Sequence, residues 1–149
     1  MSESSPRKAD LARRVWRLMF DFLIRTSPER TESLGRRGLT PNDSRGLSSL
    51  DRDSGRTMRS LAQEWKCDPS NATAIVDRLE RFGLAERRTI ARDRRVRLVV
   101  LTPAGVQTRR ELMEEFYAPP PELLELDRAS LAALQRALEK LPGLGSIPG

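Results

Sequence analysis

The sequence predicts a mainly α-helical fold carrying one small β-hairpin, and three observations predict it. Two short amphipathic stretches, residues 57–66 and 69–82, are separated only by a tight turn at Lys66-Cys67-Asp68. Two strand-like runs, residues 85–89 and 95–101, follow directly, with a polar arginine-rich stretch between them. Finally, Thr40-Pro41, Asp68-Pro69 and Thr102-Pro103 each join a helix-capping side chain to a proline suited to the first helical position. Helix, tight turn, helix and hairpin, in that order, form a winged helix-turn-helix.

Taken along the chain, residues 1–8 read as a disordered tip. Residues 9–25 read as a helix, with Leu11, Val15, Leu18, Met19, Phe22 and Leu23 at helical spacing. Trp16 and Phe20 widen its apolar surface beyond one stripe, and such a helix needs more than one partner. Residues 27–38 are weakly patterned, with room for a short helix over 28–34. A helix of about three turns runs from Pro41 to Leu50, weakened by Gly46. Residues 51–55 are a turn, and the helix of residues 57–66 buries Met58, Leu61, Ala62 and Trp65.

The next helix has Asp68 as its cap, Pro69 at its first position, and Ala72, Ile75, Val76, Leu79 and Phe82 facing inward. Gly83 stands where a C-terminal capping glycine belongs. In the second strand Val96, Leu98 and Val100 fall on one face, and Arg95, Arg97 and Val99 on the other. A helix from Pro103 reaches about Tyr117 and is broken by Pro119-Pro120-Pro121. A last helix, starting at Leu123 or Ser130 and ending at Leu141, has Leu131, Leu134, Leu138 and Leu141 at coiled-coil-like spacing. The tail from Pro142 is expected to fray. The chain therefore divides into a tip (1–8), an N-terminal dimerisation helix with its connector (9–38), a winged helix-turn-helix (39–105), and C-terminal dimerisation helices with a tail (106–149).

Composition narrows the function. The 27 Lys and Arg outnumber the 21 Asp and Glu, for a net charge of +6, which favours a polyanionic partner: nucleic acid or an anionic membrane surface. Histidine is absent and Cys67 is the single cysteine. That removes the commonest general base, any internal disulfide and the usual zinc sites. No metal, cofactor or catalytic activity is expected: there is no glycine-rich phosphate loop and no nucleophile motif, and Glu114-Glu115 read as solvated helical acids. The apolar stretch 15–24 is interrupted by Arg17 and Asp21, and no cleavage site follows, so no leader is expected. No run approaches the ~20 apolar residues of a membrane span. A soluble, cytoplasmic protein is the expectation.

The charge is concentrated. Residues 87–97 hold six arginines (Arg87, Arg88, Arg92, Arg94, Arg95 and Arg97) against Asp93 alone, a net +5 within a chain of net +6. Asp93 among these arginines reads as a local organiser, holding one of them in a fixed pose by a charge-assisted bond. The outward face of the helix before the hairpin is Ser70, Asn71, Thr73, Ala74, Asp77 and Arg78. Small polar side chains let a helix approach base edges in the major groove closely. Arginine suits phosphates and a narrow minor groove. The candidate DNA-binding residues are Ser70, Asn71, Thr73, Ala74, Arg78, Arg88, Arg92, Arg94, Arg95 and Arg97, with Asp93 as wing organiser.

The stretch 61–105 resembles the multiple antibiotic resistance regulator (MarR) family. The matching pieces are Asp68-Pro69-Ser70, Val76-Asp77-Arg78-Leu79-Glu80, Gly83-Leu84, Asp93-Arg94-Arg95, and Leu101-Thr102-Pro103-Ala104-Gly105. The resemblance implies a homodimeric transcription factor, a repressor whose affinity for a pseudo-palindromic double-stranded DNA operator is modulated by a small-molecule effector. It implies that Ser70, Asn71 and Thr73 face the major groove, and that Arg95 enters the minor groove with Asp93 orienting it. Ala74 and Lys66 depart from the family's usual residues, and the helices before Met58 match poorly.

Plainer readings stand beside these. A basic hairpin can be a solvated loop, and a polar helix face can simply meet solvent. Cys67 reads as a small turn residue rather than a redox sensor, since only Lys66 and a helix start are near to activate it. Trp65 reads as core, and Trp16 and Phe20 as dimer core. The competing function is a winged helix that binds protein and never touches DNA; salt-dependent DNA binding separates the two.

Overall fold

The computed structural model describes residues 7–144. Most of the predicted tip, and the tail beyond Leu144, lie outside the described residues. Eight helices and one hairpin follow in order: α1 (Lys8–Arg25), α2 (Ser27–Arg36), α3 (Pro41–Ser49), α4 (Met58–Trp65), α5 (Pro69–Arg81), β1 (Ala85–Ile90), β2 (Asp93–Leu101), α6 (Pro103–Tyr117), α7 (Pro121–Leu124) and α8 (Arg128–Glu139). The chain is mainly α with a two-stranded antiparallel wing, as the sequence predicts. The chain divides into two compact units, with the boundary after Tyr117.

The first unit is assembled around one apolar core. Leu47, Leu50, Leu61, Val76, Leu79, Val99, Leu101 and Leu112 are all at most 1 % exposed. Burying a side chain of this size stabilises by about 1.5–3 kcal/mol, so this cluster anchors α3, α4, α5, the base of the wing and α6 together. Leu112 brings the middle of α6 into the core, so residues 106–117 pack with the winged helix.

Local signals explain the boundaries. Thr40 and Asp43 form a reciprocal capping box at the start of α3. The Thr57 hydroxyl accepts from the Ser60 amide to start α4. Thr102 does the same for Gly105 at α6. Asp68 occupies the cap position of α5, but its side chain makes no capping bond. Between α4 and α5, Lys66 adopts the left-handed conformation (φ 50°, ψ 48°), and the Cys67 amide bonds back to the Ala62 carbonyl. That geometry ends α4 and turns the chain into α5 within three residues. Gly83, at φ 71°, ends α5 as expected.

Several expectations change. The weak region 27–38 holds a full helix, α2, over ten residues. Gly46 lets α3 lie against α5: a Cβ there would come within 3.0 Å of Ile75 and Leu79. Met58 is only partly buried. Phe82 is 44 % exposed instead of facing the core, because α5 ends at Arg81 and the ring falls under the Arg78 guanidinium. In β2 the expected two-faced alternation holds over residues 95–98 and breaks at the base of the hairpin, where Val99, Val100 and Leu101 are all buried. A third extended segment lies beside it: Arg56 pairs with Val99 through both backbone amides on the free edge of β2.

The second unit is built from α7 and α8. Asp127 caps α8, its carboxylate accepting from the Ser130 amide at 2.7 Å. The last helix starts at Arg128, and Leu123 belongs to the separate short α7. No residue of α8 is buried.

Candidate nucleic-acid interface

Helix α5 presents Ser70, Asn71, Thr73 and Ala74 to solvent, all exposed. The Thr73 hydroxyl donates to the Pro69 carbonyl of its own helix at 2.9 Å. This surface is small and polar, and its side chains make no hydrogen bond outside α5 among the described residues.

Three charged side chains of α5 are turned elsewhere. Arg78, predicted for the outward face, reaches α3. Its Nε lies 3.1 Å from Asp43 Oδ1, its Nη2 2.9 Å from Asp43 Oδ2, and Nη2 also donates to the Gly38 carbonyl at 3.3 Å. The guanidinium stacks over Phe82 at 5.6 Å. Asp43 itself is wholly buried. Burial pushes its carboxyl up, but the hydrogen bonds from Arg78 and from the Thr40 amide and hydroxyl outweigh that and hold it below the ordinary carboxylate value. Asp77 accepts from Arg87 at 2.8 Å, while Glu80 bonds both the backbone amide and the guanidinium of Arg87. Arg87 thus ties β1 to α5.

The wing is tighter than expected. Both strands extend into the predicted polar stretch, leaving only Ala91-Arg92 as the turn. Ile90 pairs with Asp93 and Thr89 with Arg97, so residues 94–96 have no partners across the hairpin. A bulge of this kind re-aims side chains. Asp93 does organise the tip, but through the backbone: its Oδ1 accepts from the Arg95 amide at 2.9 Å and holds no guanidinium. Arg88 pairs with Glu86 at 2.6 Å, both exposed; such pairs are worth about 0–1 kcal/mol and open readily. Among the described residues, Arg92, Arg94, Arg95 and Arg97 are exposed and have no acidic partner. Of the six wing arginines, four are therefore free, one is loosely held and one is structural.

Sequence reading missed a second charged centre, away from this surface. Glu115 of α6 accepts from Arg37 Nη2 at 2.6 Å, from Arg36 Nη2 at 3.2 Å and from the buried Ser33 hydroxyl. The Arg37 and Ser33 bonds lower its carboxyl to about 2. Glu115 is thus a link between α2 and α6, not a solvated acid. Its partners lie some eighty residues away in sequence, beyond the reach of local periodicity.

Among the described residues, no three His, Cys, Asp or Glu side chains are grouped to hold a metal ion. No described helix is long and apolar enough to cross a membrane. Cys67 is a partly buried free thiol beside the α4–α5 turn.

Residues 37–96 match the family model described as the MarR family. The chain is 35 % identical over 78 residues to the HTH-type transcriptional repressor MdtR of Bacillus subtilis. That match covers 52 % of this chain and 50 % of the relative, so the chain spans about half the length of the curated relative it matches. Among solved structures, the YusO protein from Bacillus subtilis superposes with a TM-score of 0.73 at 24 % identity, covering 89 % of this chain and 94 % of the other. The S. aureus MepR–DNA complex superposes with a TM-score of 0.61 at 19 % identity, over 84 % of this chain and 96 % of the other. At these identities the superpositions establish a shared fold.

Proposed function

With a winged helix-turn-helix of the MarR family at its centre, this protein, we propose, is a cytoplasmic transcriptional repressor that binds double-stranded DNA as a homodimer. One observation carries the reading: a helix with a small, polar, uncommitted outer face is tied by Arg87 to a hairpin whose tip bears four unpaired arginines. MdtR is a transcriptional repressor and MepR is seen on DNA, which supports the same assignment. In this reading α5 enters the major groove, where Asn71 and Thr73 meet base edges and Ser70 and Ala74 allow close approach. Arg88, Arg92, Arg94 and Arg97 meet phosphates. Arg95, its backbone fixed by Asp93, enters the adjoining minor groove.

Residues 39–105 form the DNA-binding part, and residues 9–38 and 106–149 the dimerising parts. Seven large apolar side chains of α1, among them Trp16 at 64 % exposed, are about half exposed or more among the described residues. A second copy supplies their cover. Two-fold symmetry then demands a pseudo-palindromic operator with half-sites about one helical turn apart. A small-molecule effector that binds the DNA-free form better would release the operator.

A salt titration on cognate and random duplexes tests the assignment. Arg94→Ala should weaken binding to both alike and lower the salt slope by about 1. Asn71→Ala should cost about 1–3 kcal/mol on the cognate site and much less on random DNA. Equal losses from both substitutions on both duplexes would refute the division of roles. No loss from either would favour a winged helix that binds protein.

A further inference from the structure

We propose that Arg78 is a positioning residue, which sets the pose of the DNA-reading helix by locking onto the buried carboxylate of Asp43, and does not itself contact DNA. This rests on the DNA-binding reading above. Four observations carry it. The guanidinium uses Nε and Nη2 on both carboxylate oxygens, a fork-like grip that fixes direction as well as distance. Asp43 is fully buried, and the same Oδ2 also accepts from the Thr40 amide (2.8 Å) and hydroxyl (2.9 Å). The Gly38 carbonyl, in the turn after α2, takes a further bond from Arg78. The Phe82 ring closes one face of the guanidinium.

One side chain of α5 is thereby joined to the first turn of α3 and to the α2–α3 turn. Arg78 lies two turns beyond Asn71 on the same helix. One turn along α3 from Asp43, Gly46 is pressed against Ile75 and Leu79, which flank Arg78 on α5. Apolar packing of this kind sets how close the two helices lie, but it tolerates sliding and rotation. A bidentate ion pair to a buried carboxylate does not. A small rotation of α5 displaces Asn71 and Thr73 relative to base edges, while leaving phosphate attraction to the wing intact. The pin therefore acts on discrimination between sequences rather than on overall affinity.

The experiment compares Asp43→Asn, Arg78→Met, Arg78→Lys and the double variant Asp43→Asn/Arg78→Met in the full chain, by salt titration on cognate and random duplexes. Each single variant should lower the cognate-to-random affinity ratio by roughly tenfold, about what one mismatched base pair costs. Salt slopes should stay unchanged, and the double variant should be no worse than the worse single one. Arg78→Lys keeps the charge and loses the fork, so it serves if the others unfold; it should still lose discrimination. If Arg78→Met lowers the slope by about 1 and weakens both duplexes equally while Asp43→Asn does neither, Arg78 is a phosphate contact and the proposal falls. Wild-type discrimination in Arg78→Lys overturns it as well. Amide exchange of residues 69–81 in the DNA-free protein separates this failure from failure of the DNA-binding reading. Should the parent chain show no salt-dependent DNA binding, faster exchange in Arg78→Lys still supports the pin, and unchanged exchange refutes it.

Discussion

A methyl group built on Gly105 would lie 1.9 Å from the Leu84 carbonyl oxygen. The obstacle is backbone, and that carbonyl already accepts from the Thr102 amide at 3.0 Å. Gly105→Ala should therefore destabilise by about 1–3 kcal/mol or more, as overpacking does, despite the ~1 kcal/mol that alanine gains in a helix. A urea midpoint shifted downward is the expected result. Cys67 shows the opposite case. Its thiol is half-covered beside the α4–α5 turn, and its structural bond is made by its backbone amide to Ala62. Cys67→Ser should leave DNA binding and any peroxide response unchanged, read by gel shift with and without peroxide. Loss of a peroxide response in that variant would make the thiol a sensor. Arginine differs again, because its role depends on which acids happen to be near. Arg78 and Arg87 are consumed inside the fold, whereas Arg92, Arg94, Arg95 and Arg97 remain free in the same eleven-residue wing or at its tip.

Between elements, charge does what apolar packing leaves undone. Helices α2 and α6 are joined by Glu115 with Arg36, Arg37 and Ser33. Because the folded carboxyl lies near 2 and its ordinary value is 4.5, ionised Glu115 favours the folded state fully above about pH 4.5. That contribution fades as pH falls from there toward 2. Asp43 shifts in the same direction. Stability to urea should therefore decline from about pH 5 to about pH 2, and Glu115→Gln should decline less over that interval, because it lacks the titrating group. An equal decline in both proteins would remove Glu115 from the account. The wing obeys the same logic of local constraint. One carboxylate-to-amide bond at Asp93 and one bulge at residues 94–96 fix the backbone that carries the free arginines.

At the scale of the whole molecule, the outstanding feature among the described residues is exposed apolar surface on α1. Leu11, Val15, Trp16, Leu18, Phe20, Leu23 and Ile24 of α1 are each about half exposed or more, and α8 buries no residue. Exposed apolar patches of this extent mark an interface. The purified chain should give twice its monomer mass by light scattering at micromolar concentration. Removal of residues 1–25 should yield aggregated or monomeric material with weakened operator binding. A monomer of the full chain at that concentration would contradict the proposed dimer.

Local chemistry in the sequence was enough to determine the helix starts at Pro41, Pro69 and Pro103, the stop at Gly83, the hairpin and the concentration of charge in it. Each depends on residues within one or two turns of one another. Capping, proline geometry and period-two alternation are short-range effects, and they survive translation into any compact fold. The small outward face of α5 was legible for the same reason. What only the tertiary structure decided is the fate of the charged side chains and the edge of the wing. Arg78 meets Asp43 across 35 residues, Arg37 meets Glu115 across 78, and Arg56 pairs with Val99 along the edge of the wing. A charged side chain takes the partner that burial and packing bring within about 3 Å, and that proximity is created by the arrangement of whole helices, which no local pattern encodes.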